Sequence, residues 1–438
     1  MVLLRARALV GLLLLVGVCW LLSRDRRAIP WRVVAWGLGL QLLFGVLVLL
    51  TPVGVAVFGT INDLLLQILR FSEAGSSFLF GDLIFNNVPV GEGVAGSNAP
   101  LVGAGQTVAR TGAYFAFHVL PTIIFFSSLM AVLYHLRIMQ RVVHGVAWVM
   151  HRTMGTSGAE TLATAGTIFV GLVETPLLVR PYLDRMTRSE IFALMTAGLA
   201  TVSGGVLVAY VGMLSPYFPD IGGHLISASV MSAPAALAVA KLMLPELEAP
   251  ETARSLPVES EVTEDVNLLD AAGRGANEGL FLALKVGAML IAFLALLEMA
   301  NAGIGWVGRL AGIADLSLQG ILGLVLAPVA WMIGIPWVDA HAVGELVGVK
   351  TILNEFVAFG QLSRIMDGPE ALGARSAVLA SYALAGFANF GSIAMQIAGI
   401  GELAPGKRVL MAELGLRALV GGAIAALMTA AVAGILLP

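Results

Sequence analysis

Gly348-Val-Lys-Thr-Ile-Leu-Asn-Glu-Phe-Val-Ala-Phe359 sets Asn354 and Glu355 between two apolar runs. The flanks suit membrane helices, yet a carboxylate sits at their centre. An ionisable group at bilayer depth is costly, so its default reading is functional: it faces a cavity, an ion path or a partner. The competing reading places Glu355 at a helix end among the headgroups, in water. A second stretch of the same kind, Gly171-Leu-Val-Glu-Thr-Pro176, favours the first reading.

Composition sets the class. The chain has 438 residues, 58% hydrophobic and only 12% charged, with mean hydropathy +0.91. Soluble domains carry about 25% charged residues, so this is a polytopic membrane protein. A net charge of −3 gives nucleic acid nothing to bind. The one cysteine, Cys19, lies in a hydrophobic run, so neither a disulfide nor a cysteine metal site is available. Residues 8–22 resemble a signal peptide, but Arg24-Asp-Arg-Arg27 follows in place of a small-residue cleavage site. A retained first span is expected.

Apolar runs of about 20 residues mark eight spans: roughly 7–23, 33–51, 112–135, 190–214, 222–244, 280–304, 375–400 and 410–436. Arg24, Arg26, Arg27 and Arg32 place the first loop in the cytoplasm and the N-terminus outside. Residues 53–72 and 138–154 read as amphipathic helices lying in the interface. Residues 81–110, rich in Gly, Asn and Pro, read as an outer loop. Residues 157–186 are too short to cross twice and precede Arg188, so a hairpin opening on the cytoplasmic side is expected. Residues 316–335 form an apolar helix, and a second hairpin, roughly 338–366, is centred on Asn354–Glu355. Irregular backbone at depth is tolerated only where it lines a cavity or is buried in protein.

The chain repeats itself. Ala197-Gly-Leu-Ala-Thr-Val-Ser-Gly-Gly205 matches Ala385-Gly-Phe-Ala-Asn-Phe-Gly-Ser-Ile393 at an offset of 188 residues. Val146-Ala-Trp-Val-Met150 matches Val329-Ala-Trp-Met-Ile333 at 183, and Glu174 precedes Glu355 by 181. The expected division is 1–111 (first two spans, interfacial helix, outer loop), 112–245 (first repeat), 246–279 (acidic cytoplasmic linker) and 280–438 (second repeat). Each repeat reads as span, interfacial helix, hairpin with a Glu, broken span, span. The two hairpins open on opposite sides. Inverted repeats with broken helices meeting at the midplane are a transporter architecture, with sites where the halves meet.

The chemistry follows from the hairpin tips. Glu355 offers a carboxylate; Asn389 and Ser392, three residues apart on one helical face, add an amide and a hydroxyl. That set suits a polyhydroxylated ligand such as a sugar ring; helix–helix glue is the alternative role for Asn389 and Ser392. Phe387 and Phe390 either stack on a flat ring or pack.

At these residues the sequence resembles the concentrative nucleoside transporter family, in its eight-span bacterial form. The likeness covers most of the chain and is most specific in the 348–359 stretch, Gly386-Phe-Ala-Asn-Phe-Gly-Ser392, Glu174-Thr-Pro-Leu-Leu-Val-Arg-Pro-Tyr182 and Ser232-Ala-Pro-Ala-Ala236. The resemblance implies a homotrimer in the bacterial inner membrane. Each protomer imports nucleoside with Na⁺ or H⁺ by an elevator-like motion. It implies that Glu355, Asn389 and Ser392 hold the ribose, with Phe387 near the base and Gly171, Glu174 and Val206 bordering it. Leu172, Val173 and Asn354 complete the expected substrate-binding set.

Two departures stand out. The family commonly has Gly-Gln-Thr-Glu or Gly-Gln-Ser-Glu where this chain has Gly171-Leu172-Val173-Glu174. A base edge facing Leu172 loses its partner, which costs about 1–3 kcal/mol if nothing replaces it. The family's sodium site maps onto Thr167, Val173 and Thr201, with carbonyls from Val170 and Val202. Hard cations want oxygens, and Val173 supplies none from its side chain. Proton coupling through Glu174 or Glu355 is the rival, since a buried carboxylate can carry a proton.

Other classes account for less of the sequence. A transporter of another ribosylated or hydroxylated metabolite keeps the sugar side and drops the base side. An intramembrane hydrolase has only Thr201-Val-Ser203-Gly204 in its favour, with no His placed as a base. A gated pore leaves the two hairpin carboxylates unexplained.

Overall fold

Helical backbone satisfies its own N–H and C=O groups where water is absent, and in the computed structural model the apolar runs are helices. The structure describes residues 2–85, 87–92, 102–110, 114–253, 255–256, 265–313 and 316–437. Helices α1 (Val2–Leu21) and α2 (Trp31–Leu50) lead into α3 (Pro52–Phe80). Strands β1 (Asn87–Glu92) and β2 (Val102–Arg110) pair antiparallel. A π-helical stretch, Phe115–Val119, opens α4 (Leu120–His135), and α5 (Ile138–Met154) follows. The first hairpin is α6 (Gly158–Gly166), a turn, the short α7 (Thr175–Leu178) and a 3₁₀ segment, Arg180–Arg185. Helices α8 (Arg188–Ala200) and α9 (Gly204–Leu214) form a span broken between them, and α10 (Ile221–Met243) ends the half.

The same order recurs in the second half. It runs through α11 (Leu268–Leu310), α12 (Leu318–Met332), the hairpin α13 (Trp337–Ile352) and α14 (Glu355–Asp367), the broken pair α15 (Ala374–Leu384) and α16 (Phe390–Leu403), and α17 (Arg408–Leu436). The protein is an all-α polytopic membrane protein. Among the described residues, eight helical stretches are long and apolar enough to cross a membrane. The set differs from the sequence expectation in two places. Residues 52–84 qualify by length and composition, whereas α15 and α16 do not, because the break at 385–389 leaves two short halves.

Packing sorts the helices into an inner and an outer group. Of the most apolar window of each helix, 89% is buried in α10 and 17% in α11. Gln41 Nε2 donates to Thr429 Oγ1 at 2.8 Å, and Ser232 Oγ shares a 2.9 Å bond with the same hydroxyl. These three polar groups tie α2, α10 and α17 together where lipid offers no alternative partner. Gly275-x-x-x-Gly279 lets α11 press against α4: a Cβ at Gly279 would lie 2.7 Å from Ile124 Cα.

Three stretches depart from expectation. The helix expected at 280 begins at Leu268, because the Asn267 side chain accepts from the N–H groups of Leu269 and Asp270. The resulting helix has 43 residues and is about 65 Å long. The last part of the polar linker is therefore helical. The outer loop contains the β1–β2 ribbon, with a register irregularity between Val90 and Glu92. The second arm of the first hairpin is short, since Pro181 follows Leu178 by three residues and cannot donate to continue the helix.

Candidate functional site

The second hairpin turns at Leu353–Asn354, and the Asn354 side chain caps α14 by accepting from Val357 N–H at 2.9 Å. Glu355 is thus the first residue of a helix, where the dipole favours an anion. It is buried. One carboxylate oxygen accepts from Asn389 Nδ2 at 2.9 Å and the other from the Tyr210 hydroxyl at 3.2 Å. The Tyr210 ring stacks on Phe359, centroids 4.2 Å apart, and meets Phe356 edge-on at 4.9 Å. One carboxylate is therefore gripped from both broken spans. Lys350, also buried, donates to the Ala383 carbonyl at 3.0 Å. That carbonyl lies in the last turn of α15, where the helix break begins.

Asn389 caps α16: its Oδ1 accepts from Ser392 N–H at 2.8 Å. Its amide thus serves the helix with one end and Glu355 with the other. The Ser392 hydroxyl is buried with no hydrogen-bond partner from the protein. Phe387 and Val206 are buried, whereas Phe390 is half exposed. Phe390 therefore does not belong with the buried set. The turn at Gly386, φ +144°, brings the second break against the first: a Cβ there would lie 2.9 Å from the Ala200 carbonyl oxygen.

The first hairpin tip comes to the same helix. Leu172 Cβ and Gln396 Nε2 both lie against Gly198, 3.2 and 2.5 Å from where its Cβ would be. Val173 meets Gly399 in the same manner, with its Cγ1 2.7 Å from the Cβ position. Glu174 folds back on its own turn, with a carboxylate oxygen 2.0 Å from where a Gly171 Cβ would lie. Among the described residues no hydrogen bond joins Glu174 to Glu355.

The residues expected to hold a cation lie in the first hairpin and in the break between α8 and α9, which one backbone hydrogen bond joins. Gly204 N–H donates to the Phe169 carbonyl at 3.1 Å, which ties the hairpin turn to the start of α9. Thr167 Oγ1 donates to the Thr164 carbonyl and Thr201 Oγ1 to the Ala197 carbonyl, at 2.8 and 3.0 Å. Both hydroxyl protons are thereby turned into helices, which leaves oxygen lone pairs for a cation. Ser229 on α10 stands 3.5 Å from the Val202 carbonyl oxygen and adds a hydroxyl that the sequence reading did not include. This donor set of hydroxyls and carbonyls fits a hard monovalent ion better than a transition metal. Among the described residues no cluster of His, Cys, Asp and Glu could hold a metal ion.

Beneath the first hairpin lies a buried charge network. Ser157 and Glu160 form a capping box on α6, and Thr187 and Glu190 form one on α8. Lys241 Nζ lies 2.7 Å from Glu160 and 3.2 Å from Glu246, while Ser157 Oγ donates to Glu190. The open end of the hairpin is thus fastened to α8 and α10. Sequence reading missed Tyr210, Gln396 and this network. Tyr210 is the lone tyrosine of an otherwise aliphatic half-span, and a buried tyrosine hydroxyl needs a partner. Gln396 follows Ser392 by four residues and so shares its helical face.

Comparison with known proteins agrees with this architecture. A family model described as Na⁺ dependent nucleoside transporter C-terminus matches residues 224–434, and its N-terminal counterpart matches 10–83. A model described as nucleoside recognition matches 116–217. The chain is 42% identical over 426 residues to sodium/nucleoside cotransporter 1 of Rattus norvegicus, covering 94% of this chain and 61% of that protein. It is 38% identical over 438 residues to solute carrier family 28 member 3 of Homo sapiens, covering 97% and 59%. The chain thus spans about three fifths of the length of these curated relatives. Among solved structures, CNTnw in an inward-facing substrate-bound state superposes with a TM-score of 0.86 at 40% identity, covering 99% of this chain and 98% of that one. A variant of CNTnw in an outward-facing state gives 0.87 at 39%, covering 100% and 98%.

Proposed function

The chain belongs to the Na⁺-dependent nucleoside transporter family, and from that premise we propose that it imports nucleosides with a cation by alternating access. The observation that carries the reading is Glu355: a buried carboxylate at a helix N-terminus, gripped by Asn389 and Tyr210, beside the unpartnered hydroxyl of Ser392. A ribose offers the vicinal hydroxyls that such a carboxylate accepts from. Asn354 sets the start of α14; in this reading Phe387 and Val206 border the base, and Gly171, Leu172, Val173 and Glu174 approach it from the first hairpin. The coupling ion is Na⁺, held by Thr167, Thr201 and the carbonyls of Val170 and Val202, with Ser229 making good part of what Val173 lacks. A homotrimer in a bacterial inner membrane, divided at 111, 245 and 279 as the repeat pattern expects, is part of the same proposal.

Apolar Leu172 and Val173 support one second reading, import of another ribosylated metabolite. Both readings are tested by uptake of radiolabelled uridine and adenosine into proteoliposomes under an imposed Na⁺ gradient or an imposed pH gradient. Na⁺-driven uptake of either nucleoside, abolished by Glu355→Gln, is the expected result. Uptake driven by pH alone overturns the sodium assignment. Uptake of neither nucleoside moves the substrate to the second reading, and wild-type uptake by Glu355→Gln sinks the ribose site.

A further inference from the structure

Asn389, Ser392 and Gln396 fall at i, i+3 and i+7 on α16 and so occupy one face. All three are buried. The Gln396 amide is oriented by its neighbour: Nε2 donates to the Met195 carbonyl at 3.1 Å, and the flipped amide would set oxygen against oxygen. Its Oε1 is left buried with no partner. A buried amide oxygen without a donor is costly, and a donor on a bound ligand is one way to satisfy it.

Its position gives the ligand's end. Four residues separate Gln396 from Ser392, a rise of about 6 Å along the helix, which is the scale on which a base extends from its ribose. Leu172 of the first hairpin and the Gln396 amide both abut Gly198, and Val173 packs at Gly399 one turn further on. The tip therefore reaches this part of α16 with two apolar side chains, Leu172 and Val173.

We infer that Gln396 is a specificity-determining residue whose Oε1 accepts a hydrogen bond from an N–H donor on the nucleobase edge, replacing polar recognition that Leu172 and Val173 do not offer. This rests on the nucleoside reading above. It makes Gln396 act on the base alone, with the ribose left to Glu355 and Ser392.

The test removes the donor from the ligand and the acceptor from the protein in turn. Competition against labelled adenosine uptake is measured in proteoliposomes for adenosine and for purine riboside, which lacks the exocyclic amino group. Cytidine and pyrimidin-2-one riboside form the second pair. Wild type is expected to favour the amino-bearing member of at least one pair about tenfold, the worth of one buried hydrogen bond. Gln396→Met, close in volume, is expected to bring that ratio near one while still transporting. Equal affinity within both pairs in wild type overturns the inference even if the variant does not fold. So does a ratio that survives Gln396→Met with all uptake uniformly lowered, since Gln396 would then only pack α16 on α8. Absence of wild-type uptake of every nucleoside overturns the nucleoside reading itself, and this inference with it.

Discussion

Lys241→Met tests the charge network beneath the first hairpin. The Lys241 and Glu160 side chains are 3% and 2% exposed, with Nζ 2.7 Å from the carboxylate. Nζ also donates to Ser189 Oγ at 2.8 Å and stands 3.2 Å from Glu246, which is 20% exposed. Removing one partner of a buried pair leaves an uncompensated charge and costs about 3–5 kcal/mol, whereas neutralising both is often close to neutral. Glu246 reaches water and contributes little to the loss; Glu160 does not and carries most of it. Lys241→Met is therefore expected to cost about 3–5 kcal/mol, and Lys241→Met with Glu160→Gln about 1–2 kcal/mol. The assay is equilibrium unfolding in mixed micelles, followed by tryptophan fluorescence, for wild type, both single variants and the double. A single-variant loss under about 1 kcal/mol, or losses that simply add in the double, would refute the reasoning, because the pair would then not be coupled through a dry interior.

Three further outcomes are expected. Tyr210→Phe removes the 3.2 Å bond to Glu355 and keeps the ring stack on Phe359. KM for nucleoside should rise about tenfold with unfolding unchanged, and an unaltered KM would take Tyr210 out of the site. Gly386→Ala places a side chain at φ +144° and 2.9 Å from the Ala200 carbonyl. It should cost about 2–4 kcal/mol, and wild-type melting would mean that the two breaks do not press together. Val173→Thr restores a hydroxyl at the first hairpin tip and should lower the Na⁺ concentration for half-maximal uptake. No change in that concentration would place Val173 away from the ion.

Much of this was legible in the chain because it is local. Apolar runs must be helical in lipid, a carboxylate within such a run must face protein, and two Glu-bearing hairpins at a fixed offset declare a repeat. Asn354 and Asn389 are helix caps for the same reason that they read as breaks: a side-chain oxygen competes for backbone N–H groups. The early start of α11 was also in the sequence, in Asn267, but was masked by the polar residues that follow it. Phe390 shows the opposite case. Nothing in its neighbourhood along the chain says which way it points, and it lies half exposed.

What hydrophobicity, capping and charge along the chain determine is the element order, the repeat and the placing of Glu355 at a buried hairpin turn. These follow from backbone hydrogen bonding and from the cost of burying charge, which act within a few residues. Tertiary packing alone decided that Tyr210 grips Glu355 across 145 positions of chain. It also decided that Lys241 closes the base of the first hairpin and that Gln396 meets Leu172 across Gly198. Such pairings depend on which helix faces are pressed together, and the free energy that selects them is spread over the whole buried interior rather than written at either partner.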